Sequence, residues 1–261
     1  MNLKNKLVVL TGASSGIGYS LAKLLANEGC NLALLARRKN ILDDLVNSLE
    51  FPHQKIITYK CDVGNYEEVK SVFTDIKKQL GKIDIVILNS GVSGRTEIKN
   101  FSAEAGRKII NTNLFGIINC VDQVLKDFIE RKEGMIVGVS SLADVRGFPK
   151  SGFYNASKSA ATILLESLRI ELKPFNVKVI TVRPGFVRTP MTDKNEFHMP
   201  LMMNADKAAK IFLEGIKKEK HIIQFPFMIV LSTKLLQWMP ASLFEWLAGR
   251  PLPQRKDKVT L

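Results

Sequence analysis

Lys6-Leu-Val-Val-Leu-Thr11, then Gly12-Ala13-Ser14-Ser15-Gly16-Ile17-Gly18, then Tyr19-Ser-Leu-Ala-Lys-Leu-Leu-Ala26 is the stretch that decides the fold. The first run is apolar and β-branched and reads as a buried strand. The last reads as a helix. The glycines between them let the backbone approach a pyrophosphate, and the free N–H groups at the helix start point at it. The spacing is GxxxGxG, not the commoner GxGxxG, so the strand–turn–helix context carries the argument. Gly12, Ser14, Ser15, Gly16, Ile17 and Gly18 are the candidate nucleotide contacts.

Outward from this turn, strand and helix patterns alternate. Strands are expected over 31–36, 55–60, 83–88, 134–139, 177–182 and 221–225. Helices are expected over 40–49 with Asn40 as N-cap, over 66–80 ending at Gly81, and as a pair within 103–130. A long helix over 152–173 is stopped by Pro174, and another spans 204–218. Such alternation predicts a doubly wound, Rossmann-like α/β fold, with a parallel sheet between two helical layers. A chain of 261 residues suits one domain, expected over 1–225, with an apolar, basic extension over 226–261.

Tyr154-Asn155-Ala156-Ser157-Lys158, with Ser140-Ser141 upstream, carries the chemistry. Positions i and i+4 share a helix face, which puts an ammonium beside a phenol. A free tyrosine titrates near pH 10, and a neighbouring cation favours its phenolate. Alone, the pair also suits an exposed helix surface.

Together the glycine turn and the Tyr154/Lys158 pair resemble the short-chain dehydrogenase/reductase family, over about residues 5–225. Other stretches stand in that family's order: Cys61-Asp62-Val63, Asn89-Ser90-Gly91, Asn111-Thr112-Asn113, Ser140-Ser141, and Arg183-Pro184-Gly185 followed by Thr189. Ser90 replaces the usual alanine and adds only a hydroxyl. The resemblance implies a nicotinamide dinucleotide with Asp62 against the adenine and with Thr189 and the Val187 backbone on the nicotinamide amide. Val63, Asn89, Gly91, Pro184 and Gly185 fall along the same sheet edge. It also implies that Tyr154 donates a proton to a carbonyl oxygen while Ser141 hydrogen-bonds it. Lys158 would lower the tyrosine pKa and hold the ribose, and Asn113 would anchor a water that refills the tyrosine proton. Ser140 and Ser141 compete for the serine role, and spacing to Tyr154 favours Ser141.

Family members that bind NAD carry an acidic residue at the end of strand two. Here Ala36 is followed by Arg37 and Arg38, which suit a 2′-phosphate. NADP(H) is therefore expected, with Arg37 as the main contact; the same arginines could simply open a solvated loop.

The net charge of +13 points to an anionic partner or to a solvated basic surface. Nucleic acid is the weaker choice, since no basic run interleaved with aromatics occurs. Cys30, Cys61 and Cys120 read as core thiols in a reducing, cytoplasmic setting, and no apolar leader pattern precedes the first strand. His53, His198 and His221 have no metal-ligand spacing, so no metal is expected.

The stretches 142–152 and 186–203 are candidate substrate walls. They include Leu142, Val145, Phe148, Phe197, Met199, Leu201, Met202 and Met203, which suit a lipophilic carbonyl or alcohol but equally a core. Residues 225–250 hold Trp238 and Trp246, broken by Lys234, Pro240 and Glu245. They suit an interfacial helix at the inner face of a membrane, a subunit interface or a pocket cover. The helices near 112–130 and 152–173 are expected to pair in a homodimer or homotetramer. Two other classes stay open: a non-catalytic NADP-binding regulator, and a basic scaffold for membrane or nucleic acid.

Overall fold

The structure, a computed structural model, describes residues 1–49, 54–193, 195 and 197–250; the part of the expected extension over 251–261 lies outside the described residues. Seven parallel strands form one sheet: β1 (Leu7–Thr11), β2 (Asn31–Ala36), β3 (Ile56–Lys60), β4 (Ile85–Leu88), β5 (Gly134–Val139), β6 (Val177–Pro184) and β9 (Ile222–Phe225). Their order is β3-β2-β1-β4-β5-β6-β9. Strands β7 (Val187–Arg188) and β8 (Met203–Asn204) pair separately.

The side-chain period of two sorts the core. Val8 and Leu10 of β1 face helices α1 (Gly16–Asn27) and α7 (Ala205–Lys217), where Leu21, Leu25, Phe212 and Ile216 are buried. Leu7 and Val9 face the other layer, formed by α3 (Tyr66–Leu80), α5 (Gly116–Arg131) and α6 (Gly152–Leu172), where Phe73, Phe128 and Leu165 are buried. Helix α2 (Lys39–Asn47) covers β2 and β3. Because β1 lies between β2 and β4, the chain reverses its winding direction there, and the crevice opens at the carboxyl ends of these strands.

Local signals explain most boundaries. Asn65 caps α3, accepting from Glu67 N and Glu68 N, and Gly81 ends it at φ +88°. Helix α2 departs from expectation: it starts at Lys39, with Arg38 at the N-cap, so Asn40 lies inside the first turn. Lys39 there pairs with Asp43 one turn on, at 2.8 Å. The pair expected within 103–130 is one unbroken run. Helix α4 (Ala103–Ile110) passes through a π-helical turn, Asn111–Phe115, into α5. No proline interrupts it, and the wide turn inserts a residue without ending the helix.

Beyond β9 the chain forms α8 (Phe227–Trp238) and α9 (Ala241–Ala248). Arg146 donates to the carbonyls of Leu236 (3.0 Å), Gln237 (3.3 Å) and Met239, satisfying the end of α8. The same guanidinium lies 5.2 Å from the Phe244 ring centre, and Phe148 meets that ring edge-on. Among the described residues, no helix is long and apolar enough to cross a membrane.

Candidate active site

A cleft of about 510 Å³ runs along the strand ends. At one end lies the glycine turn. Gly12 and Gly16 hold φ +67° and +56°, and a Cβ at either would sit 2.9 Å from Ser90 Cα or 2.7 Å from Thr189 Cγ2. A Cβ at Gly18 would sit 2.3 Å from the Gly12 carbonyl oxygen. Here the backbone is packed too closely for any side chain. Ser15 precedes α1 without a side-chain capping bond, which leaves the first N–H groups for an anion. Asn89 braces the turn, its amide donating to the carbonyls of Thr11 and Gly12 at 3.2 Å.

Ser14, Ser15, Ile17, Ala36, Arg37, Arg38, Asp62 and Val63 line the same end. Arg38 donates to Ser14 Oγ at 3.2 Å, and Arg37 stands exposed on the rim. The Asp62 carboxylate accepts from Gly64 N at 3.0 Å, so it shapes its own turn; Asn65 caps the next helix. Asn89, Gly91, Pro184, Gly185, Val187 and Thr189 continue the wall. Thr192 fixes the Val187–Thr189 corner: its hydroxyl donates to the Val187 carbonyl at 2.7 Å and accepts from Thr189 N at 3.0 Å. The bare backbone, the open helix N-terminus and the two arginines fit a dinucleotide.

The other end holds Ser141, Tyr154 and Lys158. The two serines that compete in the sequence are given different contacts. Ser140 Oγ donates to the Lys158 carbonyl at 2.8 Å and lies 2.6 Å from Thr162 Oγ1. Ser141 Oγ accepts from Ala143 N at 3.1 Å, and its own hydrogen is turned to the Tyr154 phenol oxygen in the cleft.

Lys158 corrects one expectation. Its ammonium donates to the Val139 carbonyl at 2.9 Å and lies 5.9 Å from the Tyr154 ring centre. Burial pushes the Lys158 amine down to about 8, with Asp144 opposing. The Tyr154 phenol is not lowered: burial pushes it up, the Ser141 hydroxyl pulls it down, and the charge of Asp144 adds to the rise. The ammonium stays over the face of the Tyr154 ring while its hydrogen bond goes to the end of β5.

Asn113 and Gly18 do not line the cleft. Asn113 is fully buried in the π turn. Its amide donates to the Val92 carbonyl and to Ser157 Oγ, both at 2.9 Å, and its oxygen accepts from Val92 N at 2.8 Å. Both amide hydrogens are thus committed to protein partners. Of the expected substrate walls, 186–203 contributes Val187, Thr189, Met191 and Thr192 to the cleft, while 142–152 contributes none. Met199 and Met203 are buried, Phe148 packs on Phe244, and Phe197 on Phe186. Val92 and Thr112, outside both expected stretches, also line the cleft.

Sequence reasoning missed Asp144. Its carboxylate is almost fully buried and ion-paired with Arg183. Thr162 Oγ1 lies 2.6 Å from it, joining it to Ser140. Asn155 was missed as well: its amide donates to the Ala143 carbonyl at 2.9 Å and accepts from Phe148 N at 3.0 Å, tying the loop after Ser141 to α6. No group of His, Cys, Asp or Glu suited to a metal occurs among the described residues.

A family model described as short chain dehydrogenase matches residues 6–199. The chain belongs to the short-chain dehydrogenase/reductase family, and it is an oxidoreductase of that family. It is similar to an uncharacterized oxidoreductase of Myxococcus xanthus, 33% identical over 245 residues, which cover 94% of this chain and 97% of that one. It is 33% identical to a 3-oxoacyl-[acyl-carrier-protein] reductase of Thermotoga maritima over 194 residues, 74% of this chain and 79% of that one. An alcohol dehydrogenase from Thermococcus sibiricus, complexed with 5-hydroxy-NADP, matches with a TM-score of 0.76 and 26% identity, over 85% of this chain and 95% of that one. A Burkholderia phymatum family member in complex with NAD shares the fold, with a TM-score of 0.83 at 23% identity, over 98% of this chain and 99% of that one.

Proposed function

We propose that the protein is an NADPH-dependent reductase of lipophilic ketones or aldehydes, able to run in reverse as an alcohol dehydrogenase. The observation that carries this reading is one cleft with Arg37 and Arg38 at one end and Ser141, Tyr154 and Lys158 at the other. Ala36 leaves no carboxylate where a 2′-phosphate would lie. A reduced nicotinamide bound there supplies the hydride. Ser141 donates a hydrogen bond to the carbonyl oxygen as charge develops on it, and Tyr154 donates the proton. Burial pushes the phenol above its ordinary range, so Tyr154 enters the reductive direction as a protonated donor. Lys158 holds the ribose side of the cofactor, and Asn113 positions the Val92 backbone beside it. The 3-oxoacyl reductase and alcohol dehydrogenase relatives support a carbonyl–alcohol pair.

The test is NADPH oxidation across a panel of aliphatic and aromatic ketones, aldehydes and 3-oxoacyl thioesters, with NADH in parallel. Turnover that favours apolar carbonyls and NADPH is expected; equal use of NADH would overturn the cofactor assignment.

The same reading includes a homo-oligomer. Phe115 at the end of the π turn, Ile118 near the start of α5, and Ile163 and Ile170 of α6 are exposed; the last two are 66% and 70% accessible. Paired helices would bury them. Light scattering at micromolar concentration should show a dimer or tetramer, and Ile163→Glu should weaken it.

A further inference from the structure

Helices α8 and α9 turn apolar side chains both inward and outward. Phe227, Leu231, Leu235 and Trp238 recur at helical spacing on the outer face of α8, and Trp238 and Phe227 are 88% and 76% exposed. On α9, Phe244 is buried while Leu243 and Trp246 are exposed. We propose that this outer face docks on an anionic lipid bilayer, lying flat in its interface.

Charge and geometry choose this occupant. Lys234 sits within the apolar face of α8, exposed and with no ion-pair partner among the described residues. Pressed against a second protein, its ammonium would be desolvated without compensation. On a bilayer its long stem lies among the apolar groups while the charge reaches the headgroups. At the far end Arg250 stacks 3.7 Å from the Trp246 ring centre. That pairing sets a cation and an indole at one depth, as suits the headgroup level. Residues 227–250 contain Lys234 and Arg250 against Glu245 alone, in a chain of net charge +13. At 1.5 Å per residue the helices are about 18 and 12 Å long, too short for a hydrocarbon core of about 30 Å. They lie on the surface rather than cross it. The Arg146 clasp on the last carbonyls of α8 fixes the docked face to the loop that follows Ser141.

Docking does not depend on the reaction proposed above, and its test reads tryptophan rather than turnover. The chain's two tryptophans are Trp238 and Trp246, so the emission of the unaltered protein reports this face alone. Vesicles of phosphatidylcholine with phosphatidylglycerol should shift the emission to the blue, and brominated acyl chains should quench it. Pure phosphatidylcholine should bind more weakly. Lys234→Gln, on an exposed site that leaves the fold alone, should weaken binding to anionic vesicles about fivefold, the equivalent of about 1 kcal/mol for one basic residue near such a surface. Unchanged emission with anionic vesicles at low salt overturns the proposal. So does a Trp238→Ser protein that is folded by circular dichroism but has lost its oligomeric state, since the face would then be a subunit contact.

Discussion

The two ends of the cleft are built from different materials. At the nucleotide end the main chain does the shaping: Gly12, Gly16 and Gly18 sit where no Cβ fits, and an open helix start supplies N–H groups. At the reaction end side chains do it: Tyr154 and Lys158 lie over a buried web of Asp144, Arg183, Thr162 and Ser140. The first kind of site shows in sequence as a local pattern. The second depends on residues far apart in the chain, and its electrostatics emerge only once they are packed together.

The sharpest break between the ends is Tyr154→Phe. It removes one hydroxyl from the reaction end and nothing from the other. Turnover should fall by about 10²–10⁴, the usual contribution of a positioned acid, while NADPH affinity by fluorescence titration stays within about twofold. Near-normal turnover would remove Tyr154 from the mechanism.

Asp144→Asn probes the web. It leaves Arg183 buried without its counter-ion, and chemical denaturation should show a loss of about 3 kcal/mol. Asp144 also raises the phenol, so the alkaline limb of kcat/KM for reduction should move to lower pH in the variant. A purely structural role would lower stability and leave that limb in place.

Lys158 gives a pH signature of comparable size. Below about 8 the amine is protonated in the folded and unfolded chains alike. Between about 8 and the ordinary 10.5, the unfolded chain binds a proton at Lys158 that the folded one does not, so the contribution of this residue to stability should rise with pH across that window, against the fall from the buried thiols Cys30, Cys61 and Cys120, which burial pushes up. The stability difference between wild type and Lys158→Met should shift in favour of the wild type by up to about 3 kcal/mol across the window. A wild-type curve that runs parallel to the variant's would show that the fold does not depress this lysine.

The smallest effect belongs to the nucleotide end. Arg37→Ala should weaken NADPH binding about ten- to a hundredfold and leave NADH unchanged, as fits one charge-assisted contact. Because Arg38 is tied to Ser14 while Arg37 stands on the rim, Arg38→Ala should also disturb the turn and weaken both cofactors. Equal losses for the two cofactors in Arg37→Ala would move the phosphate contact elsewhere.

These contrasts follow what could be read in advance. Strands β1 and β2 and helix α3 were legible because an apolar run, a glycine turn or a capping asparagine marks each within a few residues. The start of α2 was misplaced because Asn40 looks like a cap and the winning interaction, Lys39 with Asp43, is a surface pair. The π turn was invisible: nothing in Asn111-Thr112-Asn113 shows that Asn113 will replace a strand partner for Val92. Asp144 offered no signal, since its partner Arg183 lies 39 residues on. The tyrosine–lysine spacing gave proximity along a helix, but the carbonyl of Val139, which takes the ammonium's hydrogen bond, is a feature of another element.

The order of strands bears on how the molecule is made. The first strand synthesised, β1, ends in the interior of the sheet, and it cannot gain both neighbours until β4 has left the ribosome. The last strand among the described residues, β9, sits at an edge, and the Phe225 carbonyl at its end accepts from Gly185 N at 2.8 Å in the cofactor wall. The glycine turn can therefore form about 200 residues of synthesis before the wall opposite it, which waits for Phe225. A nascent chain stalled before β9 would carry the cradle without its far side, and with the flank of β6 unpaired, an edge open to pairing with other chains.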